Sequence, residues 1–557
     1  MTVVPWEETI ESPRANLEWA ASTVSPPVPT VMTDYDGIIL GAGHNSLILH
    51  AYLARCGLRV LSLEQNPVAG GGLRTEESPI LPGFHHNTHS FFHRAIASMP
   101  WYRDLELERH GARYIEPELN VALLLEDGRS LQWWTDLDKT VDSFSAFSKK
   151  DAAALRFWAE EFRPIVDGIL TVEAQSPPLP PDVRRALLSQ SAPGRRLMEV
   201  QQLSPLEFVE REFENDAVRA GLLFFNGLRE VDLRLPGFGH SIPALLASNR
   251  KAQMCVGGSA MLAQALIRDI EEHGGAVRTG VSIASIETHG GKATAVRLGD
   301  GERIAARSWI ASGLNPRQTF VDLLGADGEL RTRAESFEFN KIAPLFALNV
   351  ALEEPPRYTA AASQPDLDRA FMVILGLNRF SQFHEIVAAH EQGTMPPPVM
   401  WGACPTQFDP TQAPAGRHTA FMWEKLPYGL PGDPEQHGRE LLELWARYAP
   451  NMKSPNVLHQ FVRTPRDTET LLPNMHRGDL LVGSFANDQV GYHRPFPGAG
   501  CYRTPVPGLY LCGGSTHPGG NVTGLCGYNA ASVIAADLGL KRWWEPPDVE
   551  AALRQIA

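Results

Sequence analysis

A short glycine-rich turn near the start of the chain constrains its fold more than any other feature. The stretch "GAGHNS", residues 41–46, follows an apolar segment, Tyr35–Leu40, and leads into a helical run. A second apolar segment, Val60–Leu63, follows that run. Apolar segments on both sides of a helical period predict a strand, a helix and a second, parallel strand. The sequence therefore predicts an α/β fold whose first sheet begins near residue 35.

The residue types in this turn are those of a dinucleotide-binding loop. The first glycine of such a loop makes the tight turn, the second lets backbone approach a pyrophosphate, and the third brings helix and strand together. Gly41 and Gly43 occupy the first two places and Ser46 the third, and a tight turn without a ligand is the alternative. Glu64 ends the next strand, where an acid binds a ribose hydroxyl, so FAD or NAD is favoured over NADP.

A second glycine cluster, "AGGGLRTEE", follows soon after this acid. Gly70 and Gly71 would let backbone pass the pyrophosphate, and Arg74 would supply positive charge to it. A flexible surface loop with a solvated arginine is the alternative.

A third glycine-rich segment lies close to the end of the sequence, "GLYLCGGSTHPGGNVTGLCGYNAA". It predicts a strand, a bare turn at Gly513 and Gly514, and a helix beginning near Thr523. The free N–H groups at that helix start would favour a negative charge placed before it. A strand–turn–helix that only completes the sheet is the alternative.

Composition excludes some classes of function. The formal net charge is −14 and the sequence pI is about 5.7, which argues against nucleic acid as a partner because phosphate binding needs a basic face. The six cysteines form no CxxC pair, so a disulfide framework or zinc site is not expected. A cytoplasmic location is expected instead. A run of about 18 apolar residues, as a membrane span requires, is also missing. Peripheral membrane contact and oligomerisation stay open.

The segments together resemble the phytoene desaturase-like flavoproteins, which belong to the wider flavin amine oxidase group. The resemblance rests on "GAGHNS", "LEQN", "GGGLRTEE", "PGFHHNTHSF", "VGGSAMLAQALIRDIEEHGGAVRTGVSIASIE" and the third glycine-rich segment, and it extends from about Asp34 to Leu538. The "GHN", "RTEE" and "RTPRDTE" motifs favour the pyridine nucleotide-disulphide oxidoreductase-like branch over the bacterial carotene desaturases.

The resemblance implies FAD as the cofactor. It places part of the first and second glycine clusters on the ADP side of FAD, Ile283 at the adenine, the Gly513–Gly514 turn at the pyrophosphate, and the segment before the last helix at the flavin ring. The predicted cofactor residues are Gly41, Gly43, His44, Asn45, Ser46, Glu64, Gly70, Gly71, Arg74, Ile283, Gly513, Gly514, Asn521, Val522 and Thr523.

The expected architecture is α/β, with two domains built from discontinuous segments. A Rossmann-type FAD-binding domain would comprise residues 34–143, 252–337 and 460–557. An α+β substrate domain, with an antiparallel sheet and a helical insertion, would comprise residues 144–251 and 338–459. Residues 1–33, which have prolines but no sustained period, would form an N-terminal extension.

Candidate catalytic residues come from histidine-rich and glycine-rich segments. "PGFHHNTHSFFH" contains four histidines, but no carboxylate or cysteine cluster supports a metal site there. His89 is the one expected to face the flavin, although a packed histidine is the alternative. His517 would accept a proton or orient its loop, and Tyr528 would reach the same region or remain a half-buried helix residue.

Candidate substrate contacts are the aromatic residues Trp401, Trp423 and Tyr428, in or just after the predicted antiparallel sheet. Sheet core is the alternative for each. Walls of this kind suit an apolar or alicyclic substrate.

Only one dinucleotide fingerprint is present, so electrons taken by the flavin would leave to oxygen, a quinone or another protein. The expected reaction is FAD-dependent dehydrogenation of an apolar or alicyclic substrate, with a cyclic ketone as one candidate. A carotenoid desaturase or isomerase at a membrane surface, and an amine or alcohol oxidase, are the alternatives.

Overall fold

The strand–turn–helix–strand unit at the start of the sheet is present as predicted. It belongs to a computed structural model that describes residues 35–226, 232–248, 251–342, 344–429, 432–486 and 488–556. The predicted N-terminal extension, residues 1–33, lies outside the described residues.

The strands are numbered along the chain. They are β1 (Tyr35–Leu40), β2 (Val60–Leu63), β3 (Glu76–Glu77), β4 (His85–His86), β5 (His93–Arg94), β6 (Tyr114–Ile115), β7 (Leu119–Leu124), β8 (Ser130–Trp134), β9 (Ala252–Cys255), β10 (Ala276–Arg278), β11 (Ile283–His289), β12 (Lys292–Leu298), β13 (Arg303–Ser312), β14 (Leu345–Leu352), β15 (Met372–Leu375), β16 (Met400–Ala403), β17 (His418–Lys425), β18 (Val457–Arg463) and β19 (Leu509–Leu511).

The α-helices follow the same numbering. They are α1 (His44–Arg55), α2 (Pro100–Asp104), α3 (Leu137–Ser145), α4 (Lys149–Ile165), α5 (Thr171–Ala174), α6 (Pro181–Leu188), α7 (Ala192–Gln201), α8 (Pro205–Glu212), α9 (Asp216–Asn226), α10 (Ser241–Ala247), α11 (Ala260–Glu272), α12 (Gly328–Glu335), α13 (Gln382–Gln392), α14 (Pro434–Tyr448), α15 (Pro465–Leu471), α16 (Leu525–Asp537) and α17 (Val549–Gln555).

The first sheet gathers strands from the start, middle and end of the chain. Its order is β10-β2-β1-β13-β12-β11, with β19 also beside β13. β1 pairs in parallel with β2 and β13, and β19 pairs in parallel with β13. Parallel strands are covered on both faces, and all four residues of β2 are accordingly buried. The carboxyl ends of β1 and β19 therefore lie near one another, although the strands are far apart in sequence.

The second sheet is mainly antiparallel, in the order β18-β14-β17-β16-β15-β7-β8. Four of its strands, β14, β15, β16 and β17, lie within residues 338–459, where the antiparallel sheet is predicted. One face packs against the helical insertion, since Trp401 and Trp423 share a buried cluster with Trp158 of α4. The other face packs against α14 through Leu441 and Trp445.

The pairing of three strands differs from the predicted division of the chain. Strands β7 and β8, assigned by sequence to the FAD-binding segments, join the second sheet, where β7 pairs in parallel with β15. Strand β18, which spans the predicted boundary at residue 460, pairs wholly with β14. β7 and β18 are each placed by a partner distant in sequence, which local pattern cannot identify, and β8 follows β7 as its antiparallel neighbour. The α/β class is confirmed, and the remaining domain boundaries stay predictions.

Within the described ranges, none of the helices combines the length and the apolar character that a membrane crossing requires.

Candidate active site

One cavity connects the first sheet with the second. We call its two parts the glycine side and the aromatic side. The glycine side is lined by Gly41, Gly43, His44, Asn45, Ser46, Glu64, Ile283, Gly513, Gly514, Asn521 and Val522. The aromatic side is lined by Phe91, Phe92, Leu345 and Trp423, with His89 and Met475 on the same wall.

The N-terminus of α1 opens onto the glycine side. Gly43 precedes the helix in an extended conformation, no side chain caps it, and the first turn has no acidic residue. A Cβ atom at Gly43 would have no heavy atom within 4 Å, so the cavity begins directly at the backbone. Free N–H groups and the helix dipole at this position favour an anion such as a diphosphate.

Glu64 lies in the wall at the end of β2 and is 7% exposed. Its two carboxylate oxygens accept hydrogen bonds from the backbone N–H groups of Ala42 and Asn66, each at 2.9 Å. Each oxygen has a second lone pair. The carboxylate is therefore fixed in orientation and can still accept a hydroxyl group, as a ribose would require.

The turn after β19 closes the glycine side from the other end of the chain. A Cβ atom at Gly513 would lie 2.2 Å from the carbonyl oxygen of Gly313, so the close approach of these backbones requires glycine. His44 joins the two ends of the chain, since its Nε2 lies 3.2 Å from the carbonyl oxygen of Asn521. Helix α16 begins at Leu525, close to the predicted start near Thr523, and Gly524 before it lies in the left-handed region.

Three predicted cofactor residues are not on the cavity wall. Gly70 packs behind it, where a Cβ atom would lie 2.8 Å from that of Ala263. The carbonyl of Thr523 accepts the indole N–H of Trp101 at 2.8 Å. Arg74 forms an ion pair with Glu76, with Nη2 and Oε1 3.1 Å apart, so a neighbouring carboxylate holds the charge that was predicted to reach the pyrophosphate. Gly71 does line the cavity.

Enclosure among protein atoms keeps the histidines near the cavity neutral. It lowers the pKa of His44 and of His89 to about 4, and that of His93, behind the wall, to about 3. His89 Nε2 lies 3.0 Å from Sδ of Met475. In the described part of the chain, no three His, Cys, Asp or Glu side chains group as metal ligands.

The structure places the other two catalytic candidates away from the cavity. His517 Nε2 lies 2.9 Å from the carbonyl oxygen of Glu173, so its ring links the loop to the end of α5. Tyr528 is 1% exposed and packs edge-on against Tyr52, with ring centroids 5.4 Å apart. These positions favour the loop-orienting role for His517 and a packing role for Tyr528.

The predicted aromatic residues fall at three different places. Trp423 lines the cavity and packs edge-on against Phe92, with ring centroids 5.6 Å apart. Trp401 stands behind it, 1% exposed, with ring centroids 6.2 Å apart, and belongs to the sheet core. The hydroxyl of Tyr428 donates to Glu469, and the residue does not line the cavity.

Sequence reasoning missed several wall residues. Phe91 and Phe92 lie in the histidine-rich segment, from which only histidines were predicted as site residues. The segments 472–475 and 480–482 also line the cavity. No motif marks them, because they reach the wall through loops whose course depends on distant contacts.

These features fit a dinucleotide with a diphosphate centre. An uncapped helix N-terminus, a turn of bare backbone and an oriented carboxylate face one cavity, and the glycine at the helix start leaves room beside it. Gly43, Glu64 and Gly513 are the residues whose chemistry suits the diphosphate and ribose of FAD.

Comparison with known proteins agrees with this fit. Residues 51–534 match the family described as flavin containing amine oxidoreductase. The chain is 29% identical over 547 residues to one polypeptide of the limonene dehydrogenase of Castellaniella defragrans, covering 93% of this chain and 98% of that protein. It is 28% identical over 558 residues to pyridine nucleotide-disulfide oxidoreductase domain-containing protein 2 of Rattus norvegicus, covering 91% and 94%.

Solved structures share the fold. Cyclohexylamine oxidase from Brevibacterium oxydans superposes with a TM-score of 0.59 at 15% identity, covering 91% of this chain and 100% of that one. The predicted resemblance is confirmed by the family match. The chain belongs to the flavin-containing amine oxidoreductases and is an FAD-dependent oxidoreductase.

Proposed function

We propose that this protein dehydrogenates an apolar, alicyclic substrate, with a cyclic ketone as one candidate, and that it passes the electrons to oxygen or a quinone. Two hydrogens would leave adjacent carbons, which become a C=C bond. The observation that carries the proposal is the aromatic side of the cavity, where Phe91, Phe92 and Trp423 offer rings and Leu345 offers an alkyl side chain. Such a wall binds a hydrocarbon skeleton by excluding water from it.

The charges along the wall support a neutral substrate. The only carboxylates among the described wall residues are Glu64 and Asp322. Glu64 belongs to the glycine side, and Asp322 lies with Gln318 and Leu323 in a segment that packs against β11. An ammonium group moved from water to the aromatic side would meet no anion among the described residues there, and burying an unpaired charge is costly. This favours a hydrocarbon or ketone over an amine.

Bound FAD supplies the acceptor for two electrons. The chain itself would align the substrate and exclude water through the aromatic side. His89, neutral at pH 7 and on the same wall, is the candidate to accept a proton. Its pKa of about 4 makes it a weak base, so the role requires a substrate whose proton is acidified by a neighbouring ketone. His44 is held by Asn521 on the glycine side and suits an orienting role.

The name of one relative points to the same substrate class. The limonene dehydrogenase of Castellaniella defragrans carries the name of a cyclic hydrocarbon. At 29% identity this supports an alicyclic substrate for the present chain without specifying which one.

Anaerobic stopped-flow spectroscopy tests the proposal. The FAD-loaded protein is mixed with limonene, cyclohexanone, cyclohexylamine or a detergent-dispersed polyene, and loss of flavin absorbance is followed. Bleaching by limonene or cyclohexanone, with formation of an unsaturated product, is expected. Bleaching by the amine alone would indicate an amine oxidase, and bleaching by the polyene alone would indicate a carotenoid desaturase. Either result would overturn the proposal.

The electron acceptor is identified by following reoxidation of the reduced flavin in the same protein. Fast reoxidation by air with peroxide formation would identify oxygen as the acceptor. Slow reoxidation that a soluble quinone accelerates would identify a quinone.

A further inference from the structure

Arg494 is a cation in the protein interior with an unusual set of partners. It is fully buried, and its five described hydrogen bonds all go to backbone carbonyl oxygens. They join Nη1 to Ser484 at 2.8 Å and Gln489 at 3.1 Å, Nη2 to Gly514 at 3.0 Å and Gly483 at 3.3 Å, and Nε to Thr516 at 3.2 Å. Burial lowers the pKa of Arg494 to about 10, so the group remains charged at neutral pH.

These carbonyls belong to two loops that form part of the cavity wall. One loop contributes Leu481 and Val482 to the wall, and the other contributes Gly513 and Gly514. The guanidinium lies behind both and stacks on Phe485, 4.5 Å from the ring centroid. A planar group with five donors is suited to joining two loops whose carbonyls converge.

Asp479 shows that the first loop is held from a second direction. Its carboxylate accepts hydrogen bonds from the backbone N–H groups of Asn340, Leu481 and Gly483, at 2.8, 2.9 and 2.8 Å. Asp479 also interacts electrostatically with Arg494. The anion therefore orients N–H groups and the cation orients carbonyls in one loop, and their opposite charges reduce the cost of burying each.

The described part of the wall offers no lysine or arginine to a diphosphate. Arg74 is paired with Glu76. Binding at this position depends on backbone groups held in a fixed geometry.

We propose that Arg494 is a positioning residue for FAD, which holds the Gly513–Thr516 turn and the 481–483 turn in the conformation that accepts the diphosphate. It touches neither substrate nor cofactor and acts through the backbone of these turns. The proposal concerns cofactor binding and is independent of the identity of the substrate.

The test compares Arg494→Lys with Arg494→Gln. Lysine keeps the charge and three donors, whereas glutamine is neutral and has two. Dissociation constants are measured for FAD by flavin fluorescence and for ADP by competition. We expect the FAD constant to rise about fivefold in the lysine variant and at least 30-fold in the glutamine variant, with a parallel change for ADP because it shares the diphosphate.

Two control variants separate positioning from general stability. Arg503→Gln removes an exposed arginine whose partner is Asp537, 2.7 Å away, and should leave both constants unchanged. Trp445→Phe alters a buried residue under the second sheet and lowers the unfolding temperature of the apoprotein without affecting the turns.

The proposal is overturned if Arg494→Gln binds FAD within threefold of the wild type. It is also overturned if the change in FAD binding at Arg494 is no greater than in Trp445→Phe at an equal loss of unfolding temperature. If Arg494→Gln does not fold, Arg494→Lys provides the test. The proposal then requires that Arg494→Lys bind FAD and ADP more weakly than Trp445→Phe does.

Discussion

The two sides of the cavity are built in different ways. The glycine side has bare backbone at Gly41, Gly43, Gly513 and Gly514, together with the carboxylate of Glu64. The aromatic side consists of side chains that come from a loop, β14 and β17. Backbone geometry tolerates few substitutions, whereas side chains can be exchanged while the sheet is kept. The first construction suits a cofactor common to a family, and the second suits a substrate that differs among its members.

The largest effect is expected from Gly43→Ala on the glycine side. Gly43 has a φ of −72°, which alanine adopts readily, and the new Cβ would project into open cavity. We expect apoprotein stability to change by less than about 1 kcal/mol. The FAD dissociation constant should rise about 100-fold, because the methyl group occupies space that backbone needs to approach the diphosphate.

Fluorescence titration and thermal unfolding check this pair of expectations. Gly429→Ala is the control, since a Cβ there also meets no atom within 4 Å and the residue is not on the wall. Unchanged FAD affinity in Gly43→Ala would show that the diphosphate does not bind at this helix.

A smaller effect, confined to the substrate, is expected from Phe92→Ala on the aromatic side. Removing a ring from the wall should lower kcat/KM for limonene or cyclohexanone about 10- to 30-fold, which corresponds to about 1.4–2 kcal/mol. FAD affinity should stay within twofold. Phe157→Ala is the control because Phe157 is 50% exposed and remote from the wall. A loss of FAD in Phe92→Ala would mean that the two sides are not separate.

The free energy of unfolding should depend on pH through one histidine on each side of the cavity, His44 and His89. The pKa of His44 and of His89 is about 4 in the folded protein, against roughly 6.5 when unfolded. Between these values the unfolded chain binds more protons, so the contribution of each histidine to stability is present above pH 6.5 and is lost as pH falls towards 4. The loss is at most about 1.4 kcal/mol per pH unit for each group.

Urea unfolding at several pH values from 7.5 to 4.5 measures this slope. His44→Gln, on the glycine side, and His89→Gln, on the aromatic side, should each make it shallower. An unchanged slope in either variant would show that the histidine concerned protonates normally in the folded state.

The smallest effect is expected from Tyr528→Phe. Its ring packs against Tyr52 away from the cavity, so loss of the hydroxyl should change kcat and kcat/KM less than twofold. Steady-state kinetics with the substrate that reduces the flavin measure both constants. A tenfold loss of kcat would make Tyr528 a catalytic candidate again.

Sequence predicted most of the glycine side because its determinants are local. Gly41, Gly43 and Glu64 stand at set positions along one strand–turn–helix–strand unit, whose geometry follows from its own residues. Arg74 pairs with Glu76, two residues further on, a contact that the motif does not indicate, and its role at the pyrophosphate stays a prediction.

The aromatic side was harder to predict because it depends on packing between distant segments. Trp401 and Trp423 pair directly across β16 and β17, so both point to the same face of the sheet. Only the position of the helical insertion decides which of them is covered, and no local pattern in the sequence contains that information.

The pairing of β1 and β19 with β13 has a consequence for biosynthesis. His44 and Asn521, which meet across the cavity, are separated by 477 residues. At a translation rate of roughly 5–20 residues per second, about 25 to 95 seconds pass between the synthesis of the two halves of the site. Cofactor loading must therefore wait until β19 and the turn after it have left the ribosome, and a nascent chain halted before β19 lacks the turn that closes the diphosphate side.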